Sequence, residues 1–208
     1  PSLLALKDFT KTNLRGSVDI KGEIQNKDSS LFVNGNSNLL GGVLDFDLKN
    51  DDFNATLNDI NLKELSYMLY QPEIFDSKAN LKFNYNLLIK KGELTGNLLN
   101  GHFLPNEFSN LINVLAKFDL TREIYETVDL NSNINQNILT TTLVMKSNNT
   151  QLDIKNSILD LDNNTIDAKV DAKIKNNSFA INVKGDKSNP KISLDTKDLL
   201  KNEIDKKL

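Results

Sequence analysis

The 208-residue chain contains no cysteine, a single histidine and only 7% aromatic residues. The lack of cysteine excludes thiol catalysis, thiolate zinc sites and iron–sulfur clusters. It fixes no compartment, because a chain of this length can build a core without disulfides. Any histidine-dependent triad would have to use His102, which stands in Asn100-Gly101-His102 and reads as a solvated loop entry. A histidine-based zinc site would need further ligands of the same kind. No run of about 18 apolar residues occurs, so no helical membrane span is expected. No signal peptide heads the chain either. The chain begins at Pro1 rather than Met. The expectation is a fragment of a longer protein, with any membrane contact made by segments outside it.

An excess of basic charge is also missing. Lys and Arg number 25 against 28 Asp and Glu, for a net charge of −3, with both signs mixed along the chain. Nucleic acid is therefore an unsuitable partner, since it needs a basic face to neutralise phosphates. No glycine-rich phosphate loop is present. Asn34-Gly35-Asn36 and Gly41-Gly42 read as a bend and a bulge. Asp45, Asp47, Asp51 and Asp52 form the densest acidic group. They lack the shaped loop that gives Ca²⁺ its about six to eight oxygens, and they read as a solvated strand face and turn. The acidic residues elsewhere alternate with apolar ones on a wet face, whereas a general acid needs a raised pKa from burial. Neither a catalytic group nor a metal nor a cofactor is expected.

What the chain does have is period-two alternation. Val18, Ile20, Gly22 and Ile24 alternate with Asp19, Lys21 and Glu23, and Leu44, Phe46 and Leu48 with Asp45 and Asp47. Leu81, Phe83, Tyr85 and Leu87 alternate with Lys82, Asn84 and Asn86. The same pattern runs from Ile166 to Ile174 and from Phe179 to Val183. Successive strand side chains point to opposite faces, so each segment has one apolar and one wet face. Breaks rich in Asn, Asp and Lys recur roughly every ten residues, the spacing of successive hairpins. They include Lys49-Asn50-Asp51-Asp52, Lys90-Lys91-Gly92 and Asp162-Asn163-Asn164. Asn is over-used throughout, in keeping with solvated turns. Three segments read as helices: Leu62 to Tyr70, Asn106 to Phe118 with Asn106 as its cap, and Thr196 to Leu208. The expected fold is mainly β with a few short helices, a single β-rich domain over residues 1–208. Its core is a long curved antiparallel meander of about ten strands, curling around an apolar face.

Helices of this length cover only about 15–20 Å each at 1.5 Å per residue. The remaining apolar face must curl on itself, pack on another domain or hold an apolar ligand, because a bare patch beyond a few hundred Å² invites aggregation. The candidate working surface is led by Leu81, Phe83, Tyr85, Leu87, Leu143, Ile166, Val170, Ile181 and Val183. Asp52-Phe53-Asn54-Ala55-Thr56 has the form of an extended bacterial N-glycosylation signal, which makes Asn54 a candidate acceptor if it lies in an accessible turn.

The last third carries a more particular pattern. It runs from Ile138-Leu139-Thr140-Thr141-Thr142-Leu143 through Ile158-Leu159-Asp160-Leu161. It ends in Ile181-Asn182-Val183-Lys184-Gly185 and Asn189-Pro190-Lys191-Ile192-Ser193-Leu194-Asp195, before a charged tail. This resembles the C-terminal region of AsmA-like cell-envelope proteins, the AsmA and TamB type, over residues 120–208. It departs from that pattern at Lys155-Asn156-Ser157-Ile158-Leu159-Asp160-Leu161, where a glycine is usual. The resemblance implies a periplasmic location, an inner-membrane-anchored parent and a role in outer-membrane biogenesis. It further implies guiding or shielding of phospholipid or another acyl-chain ligand along a β-sheet groove. It brings no catalytic residues. The alternative expectation is an envelope protein-interaction module with a closed hydrophobic core and no lipid ligand.

Overall fold

The computed structural model describes residues 14–28 and 30–195. The helix expected over Thr196 to Leu208 lies outside them. The strands are β1 (Lys21–Lys27), β2 (Ser30–Leu39), β3 (Gly42–Lys49), β4 (Asp52–Asn61), β5 (Phe75–Asn86) and β6 (Lys91–Phe103). They continue as β7 (Tyr125–Asn135), β8 (Ile138–Lys146), β9 (Thr150–Asp160), β10 (Thr165–Ile174), β11 (Asn177–Asp186) and β12 (Lys191–Leu194). All twelve form one antiparallel sheet in which every strand pairs with its sequence neighbours. Two helices, α1 (Leu62–Met68) and α2 (Glu107–Ala116), interrupt the meander, and a 3-10 turn spans Leu120–Arg122.

The mainly β antiparallel meander is thus as expected, with twelve strands in place of about ten. The sheet is neither closed nor strongly curled. Among the described residues β1 and β12 are the two edges of the meander, each paired on one side. Alternation decides the faces. Phe53, Ala55 and Leu57 on β4 stand opposite Tyr85, Phe83 and Leu81 on β5. Leu130 and Val128 on β7 stand opposite Leu143 and Met145 on β8. Val170 and Ala168 on β10 stand opposite Ile181 and Val183 on β11. One apolar face therefore runs across the whole sheet.

The two ends of the strands differ. One end carries α1, α2 and the short β2–β3, β8–β9 and β10–β11 turns, and is called here the helix end. The other carries only hairpin turns. The core cluster is densest at the helix end, where Ile60, Phe75, Phe103, Ile112, Leu120, Tyr125 and Ile174 are buried. The rings of Phe75 and Phe103 meet edge-on at 5.1 Å between centroids, and Tyr125 lies 5.7 Å from Phe103. Helix α2 enters this cluster through Phe108, Leu111 and Ile112. Its start is fixed by a reciprocal cap: Ser109 N–H donates to the Asn106 side chain, and Asn106 N–H donates to Ser109 Oγ, both at 3.0 Å. Its end is marked by Lys117 in the left-handed conformation. Helix α1 is capped by Asn61, whose side chain accepts from Glu64 N–H. It is stapled to the incoming chain by Arg15, which donates its N–H to Met68 O and lays its guanidinium over the Tyr67 and Tyr70 rings.

Strands β4, β6 and β9 each carry one extra residue relative to their partners. Asp59, Asn100 and Asn156 sit at these bulges with φ near +50° to +56°. Asn and Asp tolerate this left-handed region better than other side chains. The β4 bulge is braced from β5 by Asn80, which accepts from Asp59 N–H at 2.8 Å. Part of the heavy Asn usage thus lies within strands as well as in turns. His102 is likewise in a strand, opposite Asp76, and not at the loop entry expected for it. Asn34-Gly35-Asn36 belongs to the body of β2 instead of a bend. Gly35 makes room there, since a Cβ would approach the Phe46 ring to 2.8 Å.

Ile112 has no accessible surface and joins α2 to the cluster. Ile112→Ala should destabilise the chain by about 2–5 kcal/mol in urea unfolding. A loss well under 1 kcal/mol would mean that α2 is not integral to the core.

Candidate functional site

The apolar face changes character along the strands. At the helix end it is dry. Toward the hairpin turns it is half-exposed and rich in rings. Phe46, Phe53, Phe83 and Tyr85 form a continuous row across β3, β4 and β5, with neighbouring centroids 5.9–6.0 Å apart. Such spacing lies in the favourable range for aromatic pairs. Glycines stand beside the largest members. Gly92 and Gly96 on β6 face Tyr85 and Leu81, where a Cβ would come within 2.8 Å of the Tyr85 ring and 2.6 Å of the Leu81 side chain. Glycine thus leaves room for these two large side chains. Small hydroxyls interrupt the face elsewhere. Ser132 and Thr141 pair across β7 and β8 at 2.9 Å. Ser77 is buried with no hydrogen-bond partner.

Eight of the nine expected surface residues lie on this face, and their depths differ. Leu81, Val170 and Ile181 are buried and belong to the core cluster. Phe83, Tyr85, Leu143, Ile166 and Val183 are half-buried. Leu87 is off the face. Strand β5 ends at Asn86, and Leu87 begins a turn, 49% exposed. The strand ends early because Asn86 uses its side chain to close that turn, accepting from the N–H groups of Leu88 and Ile89. Phe46, Phe53 and Leu94 belong to the same half-exposed surface and were not among the expected residues. The alternation that revealed β5 also marks Phe46, whereas the glycines at 92 and 96 obscure it around Leu94.

The opposite face is polar. A shallow depression of about 270 Å³ on β2–β4 is lined in part by Asn34, Asn36, Asp45, Asp47, Asn54 and Thr56. Asn54 Nδ2 donates to Asp47 at 3.0 Å. Asn54 sits in the middle of β4, between Asp47 of β3 and Asn84 of β5, and not in the accessible turn that glycosylation calls for. Among the described residues no group of three or more His, Asp or Glu side chains is placed to hold a metal ion. No helix among them is long and apolar enough to cross a membrane.

A polar network that runs from the buried Tyr125–Thr150 pair out to the surface closes the helix end. Tyr125 Oη and Thr150 Oγ1 are 2.7 Å apart, Thr150 meets Ser147 at 2.8 Å, and Ser147 donates to Glu123 at 2.5 Å. Asn149 adds a second hydrogen bond to Glu123 at 2.9 Å. Burial pushes the Tyr125 phenol up to about 12, against the hydrogen bond with Thr150 and with a smaller push from Glu123. The network ties the start of β7 to the β8–β9 turn. It holds no nucleophile–base pair, because Ser147 has a carboxylate but no histidine beside it. At the hairpin turns, carboxylates cap backbone N–H groups instead. Asp160 accepts from Asn163 and Asp162, which holds its carboxyl below its ordinary value.

Compared with protein-family models, curated proteins and solved structures, the chain matches none.

Two outcomes follow from the buried hydroxyls. A tyrosine raised in the folded state contributes full stability below its unfolded pKa near 10 and loses it as pH rises toward the folded value. Unfolding at pH 8 and 11.5 should therefore differ by about 2 kcal/mol through Tyr125. Tyr125→Phe should cost about 1 kcal/mol at pH 8 and remove that share of the alkaline loss. An unchanged alkaline decline in the variant would assign it to other groups. Ser77→Ala should leave the melting temperature unchanged or raise it, because an unsatisfied buried hydroxyl costs about 1–3 kcal/mol. A clear drop would show that the hydroxyl is satisfied.

Proposed function

We propose that this chain is a non-catalytic domain of the bacterial cell envelope, acting in the periplasm in the manner its resemblance to AsmA-like proteins implies. It shelters the acyl chains of phospholipid or a similar ligand on the half-exposed end of its apolar face. The observation that carries the proposal is the graded face itself. A closed core would be dry throughout, whereas here Phe46, Phe53, Phe83 and Tyr85 are only half-buried beside a fully buried cluster. The surface is open and shallow rather than a tube. An acyl chain of about 14 methylenes gains about 11 kcal/mol when fully buried, at ~0.8 kcal/mol each. Shelter on one side gains a fraction of that, which suits passage better than storage.

A second reading has its own observation. Strand β1 is exposed along its length, no other strand among the described residues pairs with its outer edge, and Ile24 is 76% exposed. An open strand edge is a site for pairing with another chain. On that reading the domain docks an envelope protein and the apolar face is core.

Lipid extraction and mass spectrometry of protein exported to a bacterial periplasm separates the two. Stoichiometric phospholipid in the wild type is expected. Paired Phe83→Asp and Tyr85→Asp changes should lower it by about tenfold, or about 1.4 kcal/mol, with cooperative unfolding retained. A monomeric, cooperatively folding wild type without lipid would favour the docking module.

A further inference from the structure

The β5–β6 hairpin turn breaks the chemistry of every other turn at its end. Its neighbours are Lys49-Asn50-Asp51, Gln136-Asn137 and Leu161-Asp162-Asn163-Asn164, all rich in Asn, Asp or Gln. The β5–β6 turn is Leu87-Leu88-Ile89-Lys90. Its three apolar side chains are 49%, 74% and 58% exposed. Three consecutive exposed apolar residues on a hairpin tip form a contiguous patch of the kind that marks a contact surface.

The backbone of this tip is satisfied from within. Leu87 N–H donates to Asp51 O at 2.8 Å. Leu88 and Ile89 N–H both donate to Asn86 Oδ1, at 3.1 and 3.0 Å. Lys90 N–H donates to Asn86 O at 2.9 Å, and Lys90 O accepts from Gln136 N–H at 2.7 Å. The polar turns at this end are satisfied in the same way, Asp160 accepting from Asp162 and Asn163 N–H and Asp186 from Ser188 N–H, so the tip stands apart by its side chains and not by these backbone groups. A segment that enters hydrocarbon must satisfy them itself, because each unpaired group there costs several kcal/mol. The tip is a four-residue turn with Leu88 and Ile89 at its centre. Its charge is locally balanced: Lys90 and Lys91 stand beside Asp51 and Asp52 of the adjoining turn, which Asn86 reaches with a 2.6 Å hydrogen bond to Asp52.

We propose that Leu87, Leu88 and Ile89 insert into the acyl boundary of a lipid bilayer and dock the hairpin end of the sheet on the membrane surface. The proposal rests in part on the lipid reading of the apolar face, since Tyr85 and Phe83 lead directly from this tip onto its half-exposed end. Balanced charge means that apolar burial drives the contact and that anionic headgroups are not required.

The test uses the full chain with phosphatidylcholine vesicles. The sequence has no tryptophan, so Leu88→Trp provides a single reporter. Its emission should shift to the blue on adding vesicles and should do so equally with and without phosphatidylglycerol. In co-sedimentation, paired Leu88→Asp and Ile89→Asp changes should weaken vesicle binding at least about tenfold. The same variant should take up free cis-parinaric acid as the wild type does. Undiminished vesicle binding by the Asp variant, no binding by the wild type, or a strict need for anionic lipid would each overturn the tip proposal. Vesicle binding by a wild type that takes up no parinaric acid would uphold the tip and remove the lipid reading of the face.

Discussion

The fold depends on the buried contact at the helix end, where the rings of Phe75, Phe103 and Tyr125 meet and Ile112 of α2 joins the same cluster. In a meander, each strand is held by its sequence neighbours alone, and an isolated hairpin is marginal in water. The ring cluster joins β5, β6, β7 and α2 into one dry body. The Tyr125–Thr150–Ser147–Glu123 chain extends that body to the β8–β9 turn. Its inner pair, Tyr125 and Thr150, is buried, so an unmade hydrogen bond there costs more than a made one contributes. The helix end is thereby specified in geometry as well as in hydrophobicity.

Much of this was legible because alternation is a local signal. The β3, β5, β10 and β11 faces follow from which residues are apolar. Asn106 followed by Phe108, Leu111 and Ile112 announces α2 and its cap. Errors arose where one side chain overrides composition. Asn86 ends β5 and folds three apolar residues into a turn, so Leu87 reads as strand although it is tip. Asn100 bulges β6, and His102 falls in the strand when the glycine before it suggests a loop. The expected curl depends on twist accumulated over twelve strands, which no window of the sequence contains. The cation stack of Arg15 on Tyr67 and Tyr70 joins residues more than fifty apart and leaves no local trace.

The candidate surface was legible as a face and illegible as a gradient. Leu81, Val170 and Ile181 look the same in sequence as Phe83, Ile166 and Val183, yet the first three are sealed and the others half-open. The difference comes from what lies over each residue, which period two does not report. Glycine placement carries part of the missing information. Gly35 lies under Phe46, and Gly92 and Gly96 beside Tyr85 and Leu81, each leaving room for a large side chain to lie against backbone.

That arrangement bears on what the surface can do. A ring lying over a glycine loses little on exposure, because its inner side is already packed and only its outer side meets water. Phe46 and Tyr85, the two ends of the row, are packed in this way, and Phe53 and Phe83 between them lean on neighbouring rings. Closing a face of this kind takes a partner that is apolar and adaptable. The acyl chain proposed above would meet that need, since it gains free energy with each methylene and needs no directed hydrogen bond. The polar side of the same strands forbids the reverse approach. There Asn97 reaches Asp129 and Asn131 reaches Glu93 in cross-strand hydrogen bonds that an apolar ligand would strip of solvent without replacing. One side of the sheet is thus open to apolar contact and the other closed to it, a division set by the alternation of side chains along each strand.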